Sequence, residues 1–323
     1  MITPSTYKPE SFVAMLDGLA LVRARGRDTV KFLQSQLTND IEQVTDSHSL
    51  MAAWCDPKGR SLALFQVCKH GDDLCLIAPA QVVHKVLPKL KMYVMRAKVS
   101  LEIDPTISAT GLYGPRASEW LATLTASVPL TGEATSIAQN CQLVGLTGAS
   151  RWLLIGANED VQALTRDAIA NGCVRAEQSL WRLGAIQAGQ PEIYAQTSGE
   201  FVPQMLNLEL LDGVSFSKGC YPGQEIVART QYLGRIKRRT VALQAQTIDA
   251  TPAPGDVIVD MRTAARLGQV VDAVADASGT LHILAVLRVD ALADAELSFE
   301  QAGSALFQVD LPYSLESATA PPA

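Results

Sequence analysis

Lys218-Gly219-Cys220-Tyr221-Pro222-Gly223-Gln224-Glu225, running on through Ile226, Val227, Ala228 and Arg229, gathers reactive side chains into very little chain. Gly219 and Gly223 relieve the backbone of Cβ clashes and Pro222 fixes one φ, which places Cys220 on a tight turn outside any regular element. Lys218 and Arg229 are near in sequence. Cations beside a thiol favour its thiolate, so Cys220 is the candidate reactive cysteine where those side chains converge. Gln224 and Glu225 add an amide and a carboxylate just ahead of an apolar, β-prone run. The plainer reading of the same residues is a turn entering a strand, with Cys220 a small buried hydrophobe.

The chain around this stretch is that of an ordinary globular protein. Its 323 residues suggest two domains or three, each able to bury a core, and 48% hydrophobic against 19% charged residues fits that class. Met1 to Pro9 carries no basic region followed by an apolar core, and no apolar run is long enough to cross a bilayer, so no membrane association and a cytoplasmic location are expected. The cysteines Cys55, Cys68, Cys75, Cys141, Cys173 and Cys220 include no C-x-x-C pair, which suits neither a disulfide framework nor a zinc site. His48, His70, His84 and His282 are equally dispersed, and no metal site is legible. A net charge of −6 argues against general affinity for nucleic acid. Two stretches are nonetheless basic: Lys85, Lys89, Lys91, Arg96 and Lys98, and then Arg229, Arg235, Lys237, Arg238 and Arg239. They read either as solvated faces or as an electropositive surface for phosphates.

Working outward, Gly18 to Arg25 alternates as a strand, and Asp28 is placed to cap a helix from Thr29 to Leu37 with Val30, Leu33 and Leu37 on its apolar face. Met51 to Cys55 and Ser61 to Cys68 read as strands round the turn Asp56-Pro57-Lys58-Gly59-Arg60. Leu74 to Ala78 is a further strand, leading into a helix from Gln81 to Leu90. The order then repeats. Ala109 to Tyr113 reads as a strand, Pro115 to Leu124 as a helix, Leu143 to Thr147 with Trp152 to Gly156 as a hairpin, and Asn158 as the cap of a helix that runs to Ala170 and is stopped by Gly172. Two similar α+β lobes facing each other leave a crevice suited to a flat organic ligand. A third helix, Glu177 to Gln187, ends at Ala188-Gly189-Gln190-Pro191. After Arg239 the short segments Thr240 to Gln246, Asp256 to Asp260, Leu267 to Ala273 and Leu281 to Val289 predict a small antiparallel barrel or sandwich, and the sequence beyond Tyr313 a loose tail.

The opening octapeptide resembles the K-G-C-Y-x-G-Q-E signature of the YgfZ family of folate-binding proteins, relatives of the glycine-cleavage T-protein, an aminomethyltransferase. Phe32-Leu33-Gln34 with Thr38-Asn39-Asp40, Asp56 to Arg60, Phe201-Val202-Pro203-Gln204 with Asn207, and Leu311-Pro312-Tyr313-Ser314 look like segments of the same family in the same order, so the resemblance spans about Phe12 to Ser314. It implies an α+β, T-protein-like fold: two intertwined lobes round a central folate cavity, assigned to residues 1–105 and 106–235, a C-terminal β-barrel at 236–314, and a tail at 315–323.

What the resemblance implies for chemistry depends on where the chain departs from it. T-proteins continue the equivalent of Gly59-Arg60-Ser61-Leu62 into a pair of aspartates, one of them catalytic; here Ala63 and Leu64 stand in their place, and an alkyl side chain moves no proton. The glutamate that anchors the donor edge of the pterin in the family is replaced by Gln187, which has one acceptor group where a carboxylate has two. Trp181 matches a family tryptophan and could stack on a pterin, or equally be a core residue, and an aromatic of the first lobe is replaced by Leu19. The resemblance therefore implies an accessory factor, monomeric, that binds tetrahydrofolate or a derivative and supports iron–sulfur enzymes, including a tRNA-methylthiolating enzyme, with weak tRNA contact through the basic stretches. Cys220 would be its working redox or sulfur-handling thiol, with Lys218 and Glu225 beside it, and Trp181, Gln187, Tyr221, Gln224, Arg229 and Asn39 are the candidates for folate contacts. The alternative is a folate-dependent aminomethyl or one-carbon transferase in which Glu225 or Asp40 replaces the lost aspartate.

Overall fold

Ser61–His70 (β4) shows how the sequence builds a sheet buried on both sides. Alternation sends Ala63, Phe65 and Val67 into one apolar core and Leu64 into another. The strand sits in a five-stranded sheet ordered β3-β4-β5-β2-β6, with Leu19–Arg25 as β2, Leu50–Cys55 as β3, Asp73–Pro79 as β5 and Ser100–Ile103 as β6. Thr29–Gln34 (α1) and Ala80–Met92 (α2) pack on one face of it. The computed structural model from which these elements are taken describes residues 10–137, 141–232, 234, 236–246, 251–292, 294–300 and 305–315.

The second sheet repeats the plan. Its order is β11-β1-β7-β10-β9-β8, formed by Phe12–Met15 (β1), Ile107–Tyr113 (β7), Ala134–Ile137 (β8), Cys141–Gly145 (β9), Arg151–Ala157 (β10) and Val174–Ala176 (β11). Pro115–Leu121 (α3) and Asn158–Ala170 (α4) cover its outer face through Leu112, Trp120, Leu154 and Val161. Each repeat, β2 to α2 and then β7 to α4, runs strand, helix, three strands, helix. The strand ahead of each repeat is exchanged: β1 precedes the first repeat and pairs antiparallel with β7 of the second, whereas β6 precedes the second and pairs antiparallel with β2 of the first. The lobes are thus interlocked by one strand each.

The inner faces of the two sheets meet in a core of Leu21, Ile77, Val144, Leu153 and Ile155, joined by Trp181 from Gln178–Gln187 (α5). Arg238–Ala245 (β12), Val257–Asp260 (β13), Arg266–Ala275 (β14), Leu281–Arg288 (β15), Leu297–Phe299 (β16) and Phe307–Val309 (β17) form a six-stranded antiparallel half-barrel ordered β16-β13-β14-β15-β12-β17. One face holds its own core, and the other packs Val271, Val274, Leu284 and Val286 against Leu183, Ile186 and the β3–β4 hairpin.

Three expectations change. The first helix stops at Gln34, and Val30 is 41% exposed, because Thr29, Phe32 and Leu33 make the i, i+3, i+4 stripe that faces the core. Asp28 does not cap it; its carboxylate accepts from the Lys98 backbone N–H instead. The run after Glu225 is no strand but a helix, Gln224–Tyr232 (α6), with Val227 buried and Thr230 Oγ1 donating to the Ile226 carbonyl. Arg235 and residues 316–323 lie outside the described residues. Among the described residues, no helix is long and apolar enough to cross a membrane.

Candidate functional site

Between the two sheets lies a cavity of about 370 Å³, walled by β4 and β5 on one side and by Leu146 and β10 on the other, with α5 and Asp272 of β14 closing it. Its apolar lining includes Leu19, Leu64 and Trp181, three of the five positions singled out by comparison with the family pattern. Strand alternation explains why only Leu64 of the former aspartate pair faces the cavity, Ala63 being turned into the helix-covered core. The Trp181 ring lies against Gly111 of β7, where a Cβ would come within 2.5 Å of Cε3, and the Arg151 guanidinium stands 4.7 Å from its ring centroid. Glycine at 111 is what lets the indole lie flat against the strand.

The polar lining was largely missed by the sequence. Arg151, at the start of β10, is 3% exposed and donates to the Thr147 carbonyl at 2.6 Å and to Gln190 Oε1 at 2.9 Å. Burial pulls its pKa down to about 10. Glu192 accepts from the Ile193 N–H at 2.9 Å, and burial, with Asp272 nearby, pushes its carboxyl up to about 8. Arg182 pairs with Asp272, which also accepts from Tyr194 Oη at 2.8 Å, so α5 is tied to β14 across the cavity wall. A charge at the head of the apolar run Trp152-Leu153-Leu154-Ile155, and an acid just beyond the Ala188-Gly189-Gln190-Pro191 stop, were the signals available.

A second cavity, about 450 Å³, shares Met51, Gln66, Leu146 and Gln190 with the first and extends along Asp212, Val214, Ser215, Phe216 and Ser217 towards the signature loop. Asn39 lines this one, and its amide is already committed, Nδ2 to the Met51 and Asp212 carbonyls and Oδ1 to the Asp40 N–H. Of the six residues expected at the folate, Trp181 lines the central cavity and Asn39 the adjoining one; Gln187, Tyr221, Gln224 and Arg229 line neither. Gln187 misses because the lining face of α5 is Gln178, Trp181, Arg182 and Ala185, and at 100° per residue position 187 is on the far side.

The signature loop is built on structure rather than on electrostatic activation. Lys218 Nζ donates to the carbonyls of Gln34, Leu37 and Asn39 at 2.6, 2.7 and 2.8 Å, satisfying the open end of α1, and burial pulls its pKa down to about 8. All three ammonium protons are therefore spent. Tyr221 is buried, with Lys218 Nζ 5.4 Å from its ring centroid, and burial pushes its phenol up. Gly223, at φ +80°, meets the Asp56–Gly59 turn so closely that a Cβ would be 2.4 Å from the Asp56 carbonyl oxygen. Arg229 turns to Glu225 one helical turn away at 3.2 Å, both exposed. The two cations expected to activate Cys220 thus have other partners. Cys220 itself is exposed and free, whereas the five other cysteines are buried and burial raises the pKa of each. Arg239, expected on the second basic surface, is 4% exposed and paired with buried Glu209 at 2.7 Å.

Two repeated α+β lobes with a cavity between them, closed by a helix and a C-terminal antiparallel half-barrel, define a T-protein-like fold. The chain matches the glycine cleavage system aminomethyltransferase T from Bartonella henselae with a TM-score of 0.75 over 95% of its length and 87% of that protein, at 17% identity, a likeness of fold. It is 32% identical over 313 residues to the tRNA-modifying protein YgfZ of Colwellia psychrerythraea strain 34H, covering 95% of this chain and 94% of that one, and 34% identical over 304 residues to that of Yersinia pseudotuberculosis serotype IB, covering 93% and 92%. No family model matches the chain. The chain belongs to the YgfZ family.

Proposed function

We propose that this chain is a monomeric cytoplasmic accessory factor of tRNA modification that binds a reduced folate in the central cavity and supports iron–sulfur enzymes, a tRNA-methylthiolating enzyme among them, through the thiol of Cys220. The observation that carries the reading is the separation of two features: an exposed thiol on the signature loop, and a cavity between the lobes with Leu64 in its wall, where the resemblance places the aminomethyltransferase carboxylate. A thiol outside the cavity is placed to meet a protein partner rather than the cavity ligand.

The cavity residues fit a folate. Trp181 gives the cavity an aromatic wall, and the Glu192 carboxyl, bonded to its own backbone neighbour, has acceptor capacity for the donor edge of a pterin, a role that Gln187 is not placed to take. A reduced folate, when bound, supplies a carrier for one-carbon units; the protein supplies the shape, the aromatic wall and the exclusion of water. Glu225 and Asp40, the acid–base groups expected of a one-carbon transferase, line neither cavity, whereas Glu192 and Asp272 are acids in the wall of the central one. Asp40 is engaged with Gln34, Gln43 and the Glu42 N–H.

The test is complementation of a strain lacking its own YgfZ protein, with wild type and Cys220→Ser matched for expression, reading methylthiolated tRNA and iron–sulfur enzyme activity. Restoration by wild type and not by the variant is expected. Equal restoration by both would make Cys220 dispensable and overturn the thiol-dependent role.

A further inference from the structure

Arg151 is the conspicuous unspent charge of the molecule. The other inward-turned arginines each meet a carboxylate: Arg23 meets Asp73 and Asp104, Arg182 meets Asp272, and Arg239 meets Glu209. Arg151 is as buried as Arg239, yet among the described residues no acid lies within ion-pair distance of it. Its partners are one carbonyl, one amide oxygen and the face of Trp181, and its Nε–H has no hydrogen-bond partner. A guanidinium cannot escape burial by losing its proton near neutral pH, so an unpaired one is held at a cost that the folded chain itself does not recover. It stands in the wall of the central cavity beside Gln190 and Leu146, two of the four residues that this cavity shares with the adjoining one.

We infer that Arg151 is the carboxylate-binding residue of the cavity: the ligand brings its own anion, and that anion pairs with the guanidinium at the junction of the two cavities. The planar fork of donors matches a carboxylate in two-point contact, and the surroundings are dry enough for the pair to be strong. The neutral ring of the ligand then lies in the part of the central cavity away from Arg151, and the chain that bears the carboxylate runs towards the junction with the second cavity. The identity of the ligand as a folate rests on the reading above; the anion chemistry of Arg151 does not. The carboxylate has two possible sources, the glutamyl tail of a folate or a separate small carboxylic acid.

The experiment compares wild type with Arg151→Met, which keeps the bulk and removes the charge, and with Arg151→Lys, which keeps the charge and loses the fork. Binding is measured by calorimetry for 5-formyltetrahydrofolate, for tetrahydrobiopterin, which has the pterin and no glutamyl tail, and for p-aminobenzoylglutamate and free glutamate, which have the carboxylates and no pterin. Arg151→Met should weaken 5-formyltetrahydrofolate and p-aminobenzoylglutamate by about 10- to 100-fold, the range for hydrogen bonds to a charged group, with Arg151→Lys in between. Tetrahydrobiopterin should be held equally by all three proteins. The ligand-free Arg151→Met protein should still melt cooperatively, because the removal of a buried unpaired charge offsets the loss of its hydrogen bonds to Thr147 and Gln190. Equal weakening of tetrahydrobiopterin and the folate would overturn the inference and make Arg151 a support for Trp181. Carboxylate ligands that bind wild type and Arg151→Met alike, or that bind neither, would overturn it too. Failure of wild type to bind either pterin while p-aminobenzoylglutamate or glutamate still binds through Arg151 would defeat the folate reading and leave the anion site standing, its source then a separate acid.

Discussion

Cysteine and glutamate show how position within one fold decides what a side chain can do. Burial pushes the thiols of Cys55 and Cys68 up to about 12 and that of Cys141 to about 11, which keeps them protonated and inert as small apolar groups. Cys220, by contrast, is exposed, on the turn that carries Gly219 and Pro222. Glu192 is the acidic counterpart. An acid whose folded pKa is about 8 against an ordinary 4.5 keeps its proton in the folded protein while the unfolded chain releases it. The folded state therefore carries no penalty below pH 4.5, and stability drains away as the pH rises from there to about 8. Glu192→Gln removes that titration. Its unfolding free energy by urea should match wild type near pH 4.5 and exceed it increasingly up to pH 8, by about 1–2 kcal/mol after allowing for contact with cavity water. A difference that does not change with pH would show that the carboxyl titrates as an ordinary surface acid.

At the scale of elements, the contact of α5 with β7 holds the cavity wall in place. Gly111→Ala would put a carbon 2.5 Å from Trp181 Cε3, so either the ring or the strand must shift. We expect a loss of about 1–3 kcal/mol in chemical denaturation, the range for overpacking, together with weaker 5-formyltetrahydrofolate binding as the indole leaves the wall. Wild-type stability with an unchanged near-ultraviolet tryptophan spectrum would mean that the ring is not pinned by the strand. The same scale shows what could be read from the sequence. β4, β5, β14 and β15 were plain as nearly continuous apolar runs because both faces of each strand are packed, and Pro115 marked a helix start; Asn158, expected to cap α4, is instead its first residue, and its Nδ2 donates to the Pro105 carbonyl. α6 was misread because Ile226 and Val227 are β-branched, and what makes them helical is distant in sequence: Ile226 covers Gly59, and Gln204 Nε2 reaches the Val227 carbonyl at 2.7 Å. Leu64 and Trp181 could be placed at the site by motif, while Arg151 and Glu192 enter it through the pairing of two lobes that no local pattern records.

For the whole molecule, the exchanged strands make the two lobes one folding unit. β1 lies between β7 and β11 in the second sheet although it comes from the start of the chain, and β6 closes the first sheet from the point where the second repeat begins. The core that joins β3, β4 and α5 to β12, β14 and β15 extends the same dependence to the half-barrel. A cut after residue 105 therefore does more than divide the repeats. The fragment 1–105 retains β1 with no sheet to enter, and the fragment 106–323 loses the strand that joins β11 to β7, exposing Val13's place in the outer core and Phe12's in the inner one. Each fragment made alone should lack a cooperative thermal transition, whereas the intact chain should unfold in one, and the two fragments made together should recover it, because the missing strand returns in trans. Cooperative melting of 106–323 by itself, at the temperature of the intact protein, would show that β1 adds pairing without being needed for the fold, and that the cavity between the lobes rests on α5 and the half-barrel instead.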